Sequence, residues 1–263
     1  MTSILGLNAL PFGVRDQLYL RLIPDELLTR LGRDRGWLHA AGGGLVRVSA
    51  GEDKPWARIE LRAREPDRDP VLLIDVSTSP FGVPELSLVQ VNDPEAPRYG
   101  IDRDHDGHDT LLGTASRNLG EEARALADGL APGQVRRGLR MLRRVLECMD
   151  AFCLLLDADF YLVEPLFYHS ALLYERHGCD YFMGRDRMED IQAGFEPGGD
   201  LRARLDDSTP FRRRGFEATI RGRSWAIHDG ILGAPFSGGE AAVKMYRVPG
   251  RHARVATFLG GAY

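Results

Sequence analysis

The chain has 263 residues, of which 43% are hydrophobic and 27% charged, with a formal net charge of −4. That composition excludes a disordered chain, a collagen-like fibre and a small disulfide scaffold, and it leaves no basic excess for non-specific nucleic-acid binding. Lys54 and Lys244 are the only lysines, so 32 of the 34 basic side chains are arginine. Codon bias accounts for most such excesses, but an arginine fork also suits phosphate and carboxylate partners, so position matters more than number.

The first fifteen residues lack the cationic start and long apolar run of a signal peptide, and no apolar stretch approaches the ~18 residues of a membrane span. Cys148, Cys153 and Cys179 are odd in number and lie in apolar surroundings. They read as buried free thiols in a reducing compartment. The expectation is a cytoplasmic protein with neither membrane nor nucleic acid as a partner.

Residues 24–31 predict a helix, with Pro24 at its first turn and Asp25 and Glu26 complementing the helix start. Gly42, Gly43 and Gly44 mark a loop. Four strand-like runs follow at 45–48, 57–62, 71–76 and 86–91, separated by turn chemistry at 53–55, 66–70 and 79–82. Their simplest arrangement is an antiparallel meander. Residues 92–113 are polar and turn-rich, and 119–130 have helix-forming composition. From Gly133 the spacing of Val135, Leu139, Leu142, Leu146 and Met149 predicts a helix with one narrow apolar stripe. A strand at 159–163, a helix from Glu164-Pro165 to about His177, and a strand at 179–183 come next. The last strand is expected at 244–248. This order is α/β, with a mixed, mostly antiparallel sheet flanked by helices. The expected organisation is an N-terminal segment 1–70 extending the sheet, a core 71–190, and a C-terminal extension 191–263.

Ser170-Ala171-Leu172-Leu173-Tyr174-Glu175-Arg176-His177-Gly178-Cys179 resembles the A-x-x-L-Y-E-x-x-G-F signature of the GCN5-related N-acetyltransferase superfamily. Ser170 and Cys179 depart from that pattern. The resemblance implies an acyl-CoA N-acyltransferase-like fold, with the signature on the helix after the fifth strand. It implies acetyl-CoA or another acyl-CoA as co-substrate and a small-molecule amine as acceptor. It also places the acyl-CoA pyrophosphate loop at Gly133, Gln134, Val135, Arg136, Arg137 and Gly138, where the family reads Q/R-x-x-G-x-G/A. Here Gln134 stands one place off and Arg140 replaces the small residue.

Acyl transfer needs a base for the amine and an acid for the leaving thiolate. Tyr174 matches the family's thiolate-protonating tyrosine; packing on an apolar helix face is its structural alternative. Glu164, at the end of a strand, is a candidate base or a helix-start carboxylate. His169 is a third catalytic candidate beside the more ordinary role of a satisfied structural histidine.

Two further motifs carry other chemistry. Asp102-Arg103-Asp104-His105-Asp106-Gly107 resembles the first half of a calcium loop, but Gly113 occupies the position of the bidentate glutamate. An acidic hairpin tip, or a transition-metal set using His105 and His108, are the other readings. The run 222–230 holds Trp225, His228 and Asp229 between glycines, as in a folded-back loop. His169, His228 and Asp229 also define an alternative function, a metal-dependent lyase or hydrolase. A catalytically inactive acyltransferase-fold binding protein is a third.

Overall fold

A computed structural model describes residues 3–40, 44–65, 67–236, 242–259 and 261–263. Gly42 and Gly43 of the expected loop, and Pro66 of the expected turn, lie outside the described residues. The protein is α/β, with ten α-helices and seven strands among the described residues. The strands are β1 (Val46–Ala50), β2 (Trp56–Leu61), β3 (Leu72–Thr78), β4 (Pro84–Val91), β5 (Tyr161–Val163), β6 (Asp180–Met183) and β7 (Lys244–Arg247). They form one open, mixed and mostly antiparallel sheet in the order β1-β2-β3-β4-β5-β7-β6. No helix among the described residues is long and apolar enough to cross a membrane.

The chain divides into two compact units. Unit 1 comprises Met1–Glu95, Gly138–Glu164 and Tyr246–His252. It opens with helices α1 (Ile4–Asn8), α2 (Phe12–Tyr19), α3 (Asp25–Arg30) and α4 (Arg35–His39). As expected, β1 to β4 form an antiparallel meander, with Ile59 opposite both Val48 and Ile74. Ala57, Ile59, Leu61, Leu72, Ile74, Val76 and Leu86 are all fully buried, so period-2 alternation gives this sheet a core face. The other face carries Arg58, which forks onto Asp75 at 2.7 and 2.6 Å. The helix α6 (Leu142–Leu155) buries Val145, Leu146, Met149, Phe152 and Cys153, and Phe152 lies 5.8 Å from the Tyr19 ring. Burial pushes the Cys148 thiol up to about 11 and the Cys153 thiol up to about 12, so neither is a ready nucleophile.

Unit 2 comprises Ala96–Arg137, Pro165–Met245 and Ala253–Tyr263. Its helices are α5 (Leu119–Ala127), α7 (Tyr168–Arg176), α8 (Arg185–Phe195), α9 (Asp200–Ala203) and α10 (Ile220–His228). Asn118 caps α5, accepting from the Glu121 amide at 3.2 Å. Tyr99, Ile101, Ala125, Leu130, Val135, Phe211 and Trp225 form a core cluster. Trp225 stacks on Phe211 at 5.2 Å and donates its indole N–H to the Leu130 carbonyl at 2.8 Å.

Three expectations need correction. The helix expected from Gly133 begins nine residues later, at Leu142. Val135 and Leu139 are buried, as the stripe requires, but their segment is irregular because tertiary pairing takes its backbone groups. The Val135 carbonyl accepts from Tyr99, and the Leu139 amide donates to Val91. Arg140 then adopts a left-handed φ of 58°, which no helix continues through. Second, the helix expected from Glu164-Pro165 begins at Tyr168. Third, the expected loop at 222–230 is mostly α10, capped by Thr219 onto the Gly222 amide at 3.0 Å. Gly222 is there for space: a Cβ would lie 2.6 Å from the Phe216 carbonyl oxygen.

Candidate functional site

In unit 1 the parallel pair β4/β5 is short. Its ladder joins Glu85 to Leu162 and Leu86 to Val163, and the Glu164 amide adds a bond to the Leu86 carbonyl at 3.2 Å. Beyond that point no ladder pair joins β4 to β5 among the described residues, although β4 runs on to Val91. The end of this ladder coincides with a β-bulge. Asp75 pairs with Leu88 and Val76 with Leu86, which leaves Ser87 as the extra residue of β4. Its hydroxyl lies 2.9 Å from that of Ser77. A bulge turns a strand and re-aims its backbone groups, and bulges concentrate beside active sites.

The chain returns to the far end of β4 at Gly138, which bridges to Asn92. A Cβ on Gly138 would lie 3.1 Å from the Val91 oxygen, so this close approach favours glycine. Arg140 in its left-handed conformation then turns the chain into α6, whose Met141 cap supplies no side-chain acceptor to the first amides. A helix connecting two parallel strands starts beside their carboxyl ends, the usual place for a ligand in an open α/β sheet. Here its uncapped N–H groups and macrodipole favour an anion. Arg140 is exposed and forms no ion pair among the described residues, whereas Arg143 and Arg144 are held by Glu147 at 2.9 and 2.7 Å. Glu164 is half-buried, one residue past the last ladder pair and level with the bulge.

The remaining expected site residues lie in unit 2. Gly133, with φ of 78°, makes room for the Phe167 ring: a Cβ would lie 2.3 Å from one ring carbon. Gln134 folds back to accept from the Ala131 amide at 2.8 Å. Val135 belongs to the core cluster, and Arg136 donates to the Ala96 carbonyl. Arg137 is exposed. None of these five sits at a helix start; of the expected loop, only Gly138 does its work next to α6.

Tyr174 is 4% exposed on α7, which follows β5 and leads through Gly178 and Cys179 into β6. His169, near the start of α7, is wholly enclosed; its Nδ1 is 2.9 Å from the Ser224 hydroxyl and its ring stacks on Phe167 at 5.6 Å. Burial, helped by the nearby charges of His228 and Arg221, pushes its pKa from 6.5 down to about 3. It is therefore neutral near pH 7 and a weak base, which fits a structural residue. The sign of its linkage follows. An unfolded chain protonates this histidine below about pH 6.5 and the folded chain does not, so its stabilising contribution is complete above that pH and falls toward pH 3. His169→Asn is expected to shrink the stability difference between pH 8 and pH 5 by ~2 kcal/mol, measured by urea unfolding. An unchanged difference would remove His169 as the titrating group.

His169, His228 and Asp229 do not form a ligand set. His228 Nε2 is 3.1 Å from Glu122 Oε1, and Asp229 accepts from Arg117 and Arg212, both at 2.8 Å. Among the described residues only Asp104, Asp106 and His108 bring three metal-capable atoms within 4.8 Å of one another. There Asp104 Oδ1 accepts the amides of Asp106 and His108 at 3.0 and 2.9 Å, at the tip of a hairpin closed by an Arg103–Asp109 bridge. Asp106 and His108 are exposed, so the arrangement is an acidic hairpin tip in solvent.

Sequence reasoning missed Ser87 and read Arg140 only as the residue that replaces the small one of the expected loop. A signal for the first exists in β4, where apolar alternation runs through Leu86 and Leu88 and then changes phase to Val89 and Val91. Arg140 gives no such signal. Comparison with family models, curated proteins and solved structures finds no match to this chain.

Proposed function

We propose that the protein is an acyl-CoA-dependent acyltransferase acting on a small-molecule amine, with an acyl-CoA N-acyltransferase-like fold. The observation that carries this reading is the bulge in β4 at the end of its short parallel ladder with β5, beside an uncapped helix start. A CoA thioester is an extended molecule whose diphosphate joins an adenosine end to an arm that carries two amides and ends in the thioester. The amides of α6 suit the diphosphate, and the stretch of β4 past its ladder with β5 suits the arm, which adds to it as a peptide adds to a sheet edge. The place of the Tyr174 helix between the fifth and sixth strands agrees with the signature it resembles.

In this reading the acceptor nitrogen attacks the thioester carbonyl, the C–S bond breaks, and the thiolate leaves. The resemblance assigns protonation of the sulfur to Tyr174, and Glu164 is the candidate base for the amine, directly or through water. Arg140, together with Arg137 just before Gly138, supplies charge-assisted bonds to phosphate. Arg136 does not, since its guanidinium is engaged with the Ala96 carbonyl.

Titration calorimetry with acetyl-CoA and longer acyl-CoAs tests the proposal. Absence of heat at ~1 mM ligand overturns it, because weaker binding falls below ~4 kcal/mol. Where binding occurs, Arg137→Ala with Arg140→Ala is expected to weaken it roughly tenfold or more through two lost charge-assisted bonds, while Arg136→Ala leaves affinity near wild type. Equal losses in both variants would place the phosphates elsewhere.

A further inference from the structure

Glu175, the residue after Tyr174, is a carboxylate only 4% exposed, in the middle of unit 2. It accepts from the Thr257 hydroxyl at 2.6 Å, from the Thr257 amide at 3.0 Å, and from the Tyr181 hydroxyl. Each of these donors is neutral. A buried carboxylate left with fewer donors carries a large desolvation penalty, so this arrangement tolerates little movement.

Two more bonds fasten the same end of α7 to the same C-terminal segment. Arg176 donates to the Gly261 carbonyl, and the Ala253 amide donates to the Gly178 carbonyl at 3.0 Å. Neighbouring residues in a helix are rigidly related, about 100° apart around its axis. Fixing the Glu175 carboxylate therefore fixes both the rotation of α7 and the direction of Tyr174. We infer that Thr257, acting through Glu175, is a positioning residue that holds Tyr174 in its acid geometry. The inference rests on the acyl-CoA reading above, but the clamp comes from a segment outside the signature.

The test uses the full chain and CoA itself. The fraction of bound CoA ionised to thiolate is read by ultraviolet absorbance at fixed pH. A tyrosine hydroxyl aimed at the sulfur favours the thiolate, so Tyr174→Phe is expected to lower that fraction about tenfold at unchanged CoA affinity, equivalent to one pKa unit. Thr257→Val and Tyr181→Phe, which each remove one hydroxyl donor from Glu175, should reproduce much of that loss. Thr257→Ser, which keeps the hydroxyl, should behave as wild type. If both donor variants keep the wild-type fraction while Tyr174→Phe loses it, the inference is overturned and the acyl-CoA reading stands. If Tyr174→Phe changes nothing, Tyr174 has no role for Thr257 to support, and the inference fails. If the wild-type chain binds no CoA, the reading and the inference fail together.

Discussion

Glu122→Ala is expected to destabilise unit 2 by about 3–5 kcal/mol, the range for removing one partner from a buried ion pair. The Glu122 side chain is 1% exposed. One oxygen faces His228 Nε2, and the other accepts from Nε of Arg117 at 2.9 Å and from its second guanidinium nitrogen. The remaining Arg117 nitrogen reaches Asp229, which Thr209 also contacts at 2.9 Å and Arg212 at 2.8 Å. Two arginines and two carboxylates balance in this network, so deleting Glu122 leaves one half-buried cation in excess.

Burial works against the Glu122 carboxylate, yet the bonds from His228 and Arg117 hold its pKa below the ordinary value. Its contribution is therefore present above the unfolded pKa and lost as pH falls through the folded one. Glu122→Ala should accordingly flatten the acid limb of the stability profile as well as lower the plateau. A double-mutant cycle with Arg117→Leu separates the pair from its surroundings: once the cation is gone, Glu122→Leu should cost far less than in the wild type. Strictly additive losses, measured by chemical unfolding, would dissolve the network as an energetic unit.

That network shows where sequence reading stops. The first four strands were legible because period-2 alternation is local and each run is bounded by turn residues. The helix at 142–155 was legible from Leu142 onward for the same reason. Its supposed first turns were not, because Val135 and Leu139 obey helical spacing while their backbone groups pair with Tyr99 and Val91. A buried position reports that a residue faces a core, not which backbone conformation brings it there. Glu122 and Asp229 lie 107 residues apart, and nothing in their local sequence signals that Arg117 joins them. His169 was legible as a candidate only by residue type; its enclosure depends on Ser224, 55 residues away in the chain, as well as on the nearby Phe167 ring.

Gly133→Ala carries the second large effect and separates two roles for one glycine. As part of a phosphate loop, Gly133 would matter for ligand affinity; as a packing position, it matters for folding. The structure favours packing. A Cβ would lie 2.3 and 2.6 Å from two Phe167 ring carbons, and φ of 78° disfavours any side chain there. The ring cannot retreat cheaply, because it stacks on His169 at 5.6 Å and meets His228 edge-on at 5.6 Å. Left-handed strain of ~1 kcal/mol and overpacking of ~1–3 kcal/mol give an expected loss of about 2–4 kcal/mol in unfolding free energy. In a Phe167→Leu background the overpacking component should largely vanish, leaving Gly133→Ala with a cost near ~1 kcal/mol from strain alone. Folded Gly133→Ala protein should still bind acetyl-CoA with wild-type affinity, because in the proposed site the phosphates meet Gly138, Arg140 and the first amides of α6. A variant that keeps its stability and loses acetyl-CoA affinity would return Gly133 to the ligand and move the phosphate site away from α6.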